Sequence, residues 1–159
     1  MRVAARRADE SDLETLEALY RSLEDEMRAL HAMWPVADGL DEPVIESFRD
    51  ALEEPDTIVL VGEIDNYPFG FLMARVERLL AQADGEEVGA IRLIYVANEA
   101  REVALGEEMR EAALGILRDR GLTKFDAHVL PGHRLAKNFF EAGGFAARSI
   151  IMHHDDERE

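Results

Sequence analysis

The residues whose types and spacing could do chemistry lie first between Val96 and Gly106. A strand ending at Val96, a loop over 97–100 and a helix expected from near Glu102 would bring free backbone N–H groups and the positive end of a helix to one point. Such a point binds phosphate or another anion. The lysine-bearing loop of nucleoside triphosphatases and the three-glycine dinucleotide fingerprint are both missing. On physical grounds alone, Arg101–Gly106 is therefore an anion site or an ordinary connection. A second group, His133, Arg134 and Lys137, opens a short helix that ends at Gly143-Gly144. His128 and His133 lack a third ligand at useful spacing, so no metal is expected.

Composition narrows the chemistry. The 159 residues contain no cysteine, which removes thiolate nucleophiles, thiolate metal sites and disulfides together and fits a reducing, cytoplasmic setting. Arg2, Arg6 and Arg7 run into Asp9, Glu10 and Asp12 rather than an apolar stretch, so no export leader is expected. No apolar run approaches the roughly 20 residues that span a bilayer. A formal charge of −16 opposes nucleic acid as a partner. The acidity reads as solvated helix faces, with attraction toward cationic amines as the sharper alternative.

The elements that must position these residues follow from periodicity. A short strand over 3–6 precedes a helix capped by Asp9 or Ser11, in which Leu13, Leu16, Tyr20, Leu23 and Met27 recur at helical spacing. After the break at Trp34-Pro35 and Asp38-Gly39, a second helix runs to Pro55. Strands over 57–64, 69–80 and 88–96 form a meander turning at Asp65-Asn66 and Asp84-Gly85. A helix over 102–120, a strand over 124–130, a helix over 134–142 and a last strand over 145–152 complete the chain. This order predicts an α/β fold with a mixed, mostly antiparallel central sheet and helices on both faces. One domain over 1–152 and a frayed tail over 153–159 are expected, with His153 and His154 at the strand end or in the tail.

Val96 followed by Arg101-Glu102-Val103-Ala104-Leu105-Gly106 resembles the Gln/Arg-x-x-Gly-x-Gly/Ala loop of the GNAT acetyltransferases. Ala136-Lys137-Asn138-Phe139-Phe140-Glu141-Ala142-Gly143-Gly144-Phe145 resembles that family's Asn-x-x-Ala-x-x-Phe-Tyr-Glu-x-x-Gly-Phe segment. The two lie in the right order, separated by one helix and one strand. The resemblance implies that the amides of Arg101, Glu102, Val103, Ala104, Leu105, Gly106 and Glu107 hold the pyrophosphate of acetyl-CoA. It implies too that Ile94, Tyr95 and Val96 pair with the pantetheine arm, and that His133 and Phe140 stand at cofactor-contacting positions. It makes the chain an N-acetyltransferase acting on a small-molecule or peptide amine, with a homodimer possible. Trp34 and His31 fall in the region that in this family walls the acceptor pocket; hydrophobic packing is the competing reading for Trp34.

The chain also departs from that pattern. Ala104 replaces the first glycine, and a helical backbone is expected there because a left-handed one would cost alanine roughly 1–2 kcal/mol. Glu102, Glu107 and Glu108 suit the positive helix end but repel a phosphate, so modest affinity is expected. Phe140 stands where relatives place a proton-donating tyrosine, and a phenyl ring has no proton to give. His133 and Tyr95 are the remaining titratable candidates for catalysis. For His133, helix capping or packing ranks first, cofactor contact second and proton donation third. An acyl-CoA-binding or partner-binding module with little catalysis is the alternative to an enzyme.

Overall fold

Alternation along the central strands decides the architecture. The computed structural model describes residues 1–157; of the expected tail, 158–159 lie outside the described residues. Five strands, β1 (Val3–Arg7), β2 (Thr57–Ile64), β3 (Tyr67–Arg78), β4 (Glu87–Val96) and β5 (Phe125–Ala127), form one sheet in chain order. Every pairing is antiparallel except β4 with β5. Ile58, Leu60, Leu72, Ala74 and Ile91 are buried on one face, and Val59, Val61, Phe71, Met73 and Leu93 on the other. A sheet apolar on both faces has to be covered on both. Helices α1 (Leu13–Leu30), α2 (Trp34–Ala37) and α3 (Val44–Glu53) cover the second face; α4 (Leu105–Asp119) and α5 (Arg134–Ala142) cover the first. The mixed sheet between two helical layers is the one the sequence predicts.

Ile91 and Leu93 are two residues apart yet face opposite layers. The reason is a register shift: Ala74 pairs with Ile91 while Met73 pairs with Leu93, which leaves Arg92 as an extra residue in β4. Such a bulge bends the strand and resets its alternation. On the α4 side the helix approaches the sheet closely because glycines face it. A Cβ at Gly62 would stand 2.8 Å from Met109 Sδ, and one at Gly89 would stand 2.6 Å from Leu117 Cδ1. Close packing of α4 brings its N-terminus to the end of β4.

The edges differ from expectation. The strand expected over 124–130 shortens to Phe125–Ala127. The one expected over 145–152 does not form, and Ile150, Ile151 and Met152 are exposed. Their β propensity is real, but propensity yields a strand only where a ladder partner and a face to bury are available. This segment is anchored by side chains instead: Phe145 stacks edge-on against Phe140, and Arg148 makes a bidentate pair with Asp126 at 2.8 and 2.5 Å.

At the other end, Asp9 and Asp12 build a reciprocal cap ahead of α1. Asp9 accepts from the Ser11 amide at 2.9 Å, and Asp12 accepts from the Asp9 amide at 2.8 Å. Asp12 is buried and also takes both ends of the Arg6 guanidinium from β1, each at 2.8 Å. Those Arg6 hydrogen bonds hold the Asp12 carboxyl below the usual carboxylate range, although burial opposes them. Its contribution is thus complete above an unfolded pKa of about 4 and is lost as pH falls through the lower folded value. Asp12→Asn is expected to lower Tm by about 2–6 °C at pH 7, with the gap to the wild type closing as pH falls below about 4 in a thermal melt series.

Ala104 corrects a second expectation. Its φ of 63° and ψ of 18° put it in the left-handed region, not in a helix. The chain has to turn sharply there so that Leu105, fully buried, can start α4 against the sheet. Burial of Leu105 outweighs the strain on Ala104. Ala104→Gly relieves that strain at the expense of a more flexible unfolded chain, so a small net rise in Tm, about 1–4 °C, is expected by calorimetry.

Candidate functional site

Parallel β4 and β5 stay together for only three pairs, Gly89 with Phe125 through Ile91 with Ala127. The amide of His128 still donates to Ile91 O at 3.1 Å, and beyond that point the ladder stops. β4 continues through Val96 still paired with β3, but among the described residues no strand lies on its other side. The Ala97 amide turns toward β3, donating to Phe69 O at 2.7 Å, so alternation turns the polar backbone groups of Ile94 and Val96 to the open side. Val96 O confirms the direction by accepting from Arg101 Nε at 2.8 Å.

Between β4 and α4 the chain makes a 3-10 turn at Asn98–Ala100 and reverses at Ala104. The helix begins at Leu105 rather than near Glu102. The amides of Leu105, Gly106 and Glu107 therefore lack an i−4 carbonyl partner and carry the helix's positive end. Gly106 and Glu107 of this turn line a cleft of about 220 Å³ whose walls also include Ile94, Tyr95, Val96, Arg101, Ala104 and His133. A Cβ on Gly106 would come to 3.2 Å from Phe139 Cε1 and 3.6 Å from Val96 Cγ2, so the glycine keeps this narrow throat open. Backbone donors, an uncovered strand edge and a glycine throat together fit an elongated ligand with an anionic portion.

Four residues expected to contact cofactor are not in that wall. Glu102 is exposed beside the loop, Val103 and Leu105 turn into the core, and Phe140 is buried to 4%. Phe140 packs between Phe139 and Phe145 at centroid distances of 5.0 and 5.3 Å. On α5 it is Leu135, Ala136 and Phe139 that line the cleft, Phe139 lying four and three residues after the other two and so on the same face. Arg110, buried on α4, secures this orientation: it donates to Phe139 O at 2.8 Å and its guanidinium lies 4.5 Å from the Phe139 ring centroid. Neither Arg110 nor Phe139 was legible as a site residue, because an arginine within an amphipathic helix ordinarily reads as solvated.

His133 does not cap α5 with its side chain. Its Nε2 faces Glu26 Oε1 at 3.2 Å, while Arg101 donates to Glu26 Oε2 at 2.6 Å. Glu26, on α1, is thus a cleft residue that sequence reasoning missed; it lies beside the apolar stripe of α1 with no motif around it. Tyr95 also lines the cleft, with the Arg101 guanidinium 5.6 Å from its ring centroid. Trp34, by contrast, is 5% exposed and packs 6.2 Å from Tyr20 in the α1–α3 layer, so the packing reading describes it. His31 accepts from the Met33 amide through Nδ1 at 3.2 Å and meets the ring of His153 edge-on at 5.9 Å.

A family model described as the acetyltransferase (GNAT) family matches residues 16–145. No curated protein matches the sequence. Among solved structures, a tetramutant of a Bacillus halodurans protein has a TM-score of 0.81 at 16% identity, over 98% of this chain and 99% of that one. The aminoglycoside antibiotic 6′-N-acetyltransferase AAC(6′)-Ih from Acinetobacter baumannii has a TM-score of 0.75 at 15% identity, over 99% and 100%. AAC(6′)-Iy, in complex with the bisubstrate analog CoA-S-monomethyl-acetylneamine, has a TM-score of 0.77 at 14% identity, over 99% and 100%. At these identities the structures share a fold. With the family match running from α1 through β2–β5, the loop and α5, the chain belongs to the GNAT acetyltransferase family.

Proposed function

We propose that the protein transfers the acetyl group of acetyl-CoA to a primary amine. The observation that carries this reading is the meeting, in one cleft, of the partnerless amides at the start of α4 with the outward-facing backbone of Ile94 and Val96. A pyrophosphate needs the first and the amides of a pantetheine arm need the second. That AAC(6′)-Iy, of the same fold, binds CoA and a CoA-containing bisubstrate analog supports the choice of cosubstrate.

The amine attacks the thioester carbonyl directly. A C–N bond forms, the carbonyl oxygen gains charge that a backbone N–H on the open side of β4 stabilises, and the C–S bond then breaks with sulfur taking the electron pair. The amine loses its proton to water or to a side chain of the cleft, and the thiolate is protonated on leaving. No cysteine is needed, in keeping with the composition. A thiolate is a far better leaving group than an alkoxide, so the C–S bond breaks with less acid assistance than a C–O bond would need. A phenyl ring at Phe140, in the core, therefore does not forbid turnover. Tyr95 and His133 are the titratable cleft residues able to return the proton. The acceptor is an amine, whether an amino acid, polyamine, antibiotic or peptide N-terminus.

The lack of a hydroxyl at Phe140 favours a second reading, an acyl-CoA-binding module with little catalysis. Calorimetry with acetyl-CoA followed by thiol release over an amine panel separates the two. Binding with turnover is expected; binding without turnover supports the module, and no binding of any acyl-CoA sinks both. Substitution at the throat gives a graded check. Gly106→Ala should weaken CoA binding a few-fold, because Phe139 can give by a few tenths of an ångström, whereas Gly106→Val should weaken it by about tenfold or more with Tm shifted by only a few degrees.

A further inference from the structure

The Glu26 carboxylate lines the cleft with both oxygens engaged, one by the Arg101 guanidinium and one by the His133 imidazole. Oε2 accepts from Arg101 Nη2 at 2.6 Å, and Oε1 faces His133 Nε2 at 3.2 Å. The three residues come from α1, the loop before α4 and the residue ahead of α5, so nothing local to the chain brings them together. All three line the cleft that holds the amides of Gly106 and Glu107, and all three are partly exposed to it. Arg101 is engaged a second time, since its Nε donates to Val96 O at 2.8 Å. Val96 O is one of the outward-facing groups of the open β4 edge.

We propose that Glu26 is an internal anion seated on the cationic side of the cofactor cleft, and that it yields Arg101 to a phosphate of the incoming CoA. The inference rests on the reading of this cleft as the cofactor site. Glu26 acts as a positioning residue that sets cofactor affinity. In the free protein its carboxylate neutralises Arg101 and draws the guanidinium over the Tyr95 ring, where it also blocks Val96 O. A phosphate arriving at the α4 N-terminus carries more charge than a carboxylate and competes for the same planar donor fork. Transfer of Arg101 to that phosphate releases Val96 O, so that phosphate binding and strand-like pairing of the pantetheine arm become coupled. Glu26 left behind still repels the phosphate, which keeps affinity low and lets the CoA product leave.

This arrangement has a signature that a merely structural ion pair lacks. Removing the carboxylate charge at this spacing is expected to tighten binding of CoA by about tenfold. S-acetylpantetheine, which has no phosphate and can gain only from a freed Val96 O, should gain much less than CoA. Calorimetric titration of the wild type, Glu26→Gln, Arg101→Gln and the double variant with both ligands tests this. Arg101→Gln should bind CoA about tenfold more weakly, and in the double variant most of the gain from Glu26→Gln should vanish, as expected when one residue acts through the other. Unchanged or weaker CoA binding by Glu26→Gln, or an equal gain for S-acetylpantetheine, overturns the proposal. If Glu26→Gln fails to fold by circular dichroism, Glu26→Ala, which also removes the charge, serves instead: a gain in CoA affinity supports the proposal and no gain overturns it. A wild type that binds no CoA overturns the assignment of the cleft itself, a separate result from any change caused at Glu26.

Discussion

Everything at this site depends on the early end of the β4–β5 ladder. Two parallel strands normally satisfy each other's backbone along their shared length, and a strand edge left unpaired in a protein interior carries a desolvation cost. Here pairing ends at Ile91 and His128, next to the bulge at Arg92, and the rest of β4 faces a cleft instead of a strand. The bulge bends β4 away and shifts Leu93 to the opposite layer, so both layers remain filled while the strand edge stays open. An open edge within a well-packed sheet is a binding device, because the groups that should complete it are left for a ligand.

The second requirement is that α4 begin at the correct place beside that edge. Leu105, Met109, Ala113 and Leu117 lock the helix to the sheet, and the glycines opposite let it lie close. Ala104 then has to adopt a left-handed backbone so the loop can meet a helix already fixed by its core contacts. Arg110 extends the same logic to α5, holding Phe139 against the throat by its carbonyl and its ring. Core packing thus sets the walls of the cleft, and the strained residue lies where packing and binding meet.

Charge plays a different part. The protein is strongly acidic overall, and three glutamates surround the loop, yet the cleft keeps Arg101 and His133 on one side. A local cation, Arg101, with an imidazole beside it and a set of backbone donors can bind an anion against an unfavourable overall field, because screening confines that field to about 8–10 Å in salt. Glu26 fits this picture as a counter-charge that keeps Arg101 in place when no anion is bound.

By itself the sequence determined the order of elements, the two helical layers around a mostly antiparallel sheet, and the loop at Arg101–Gly106. These follow from periodicities of 3.6 and 2 and from turn residues, which act over a few neighbours. It was silent or misleading wherever the answer lay in contacts between distant segments. The apolar run over 145–152 has strand propensity but finds no ladder, the motif position Phe140 turns into the core while Phe139 takes the cleft, and Trp34 packs on Tyr20. Glu26 has no local signature at all, since its partners Arg101 and His133 stand far along the chain. Only the tertiary structure decided those, for a physical reason: which side of a helix meets a cleft, and which charge meets which, depends on how rigid elements pack, and packing is a property of the assembled core rather than of any local stretch of residues.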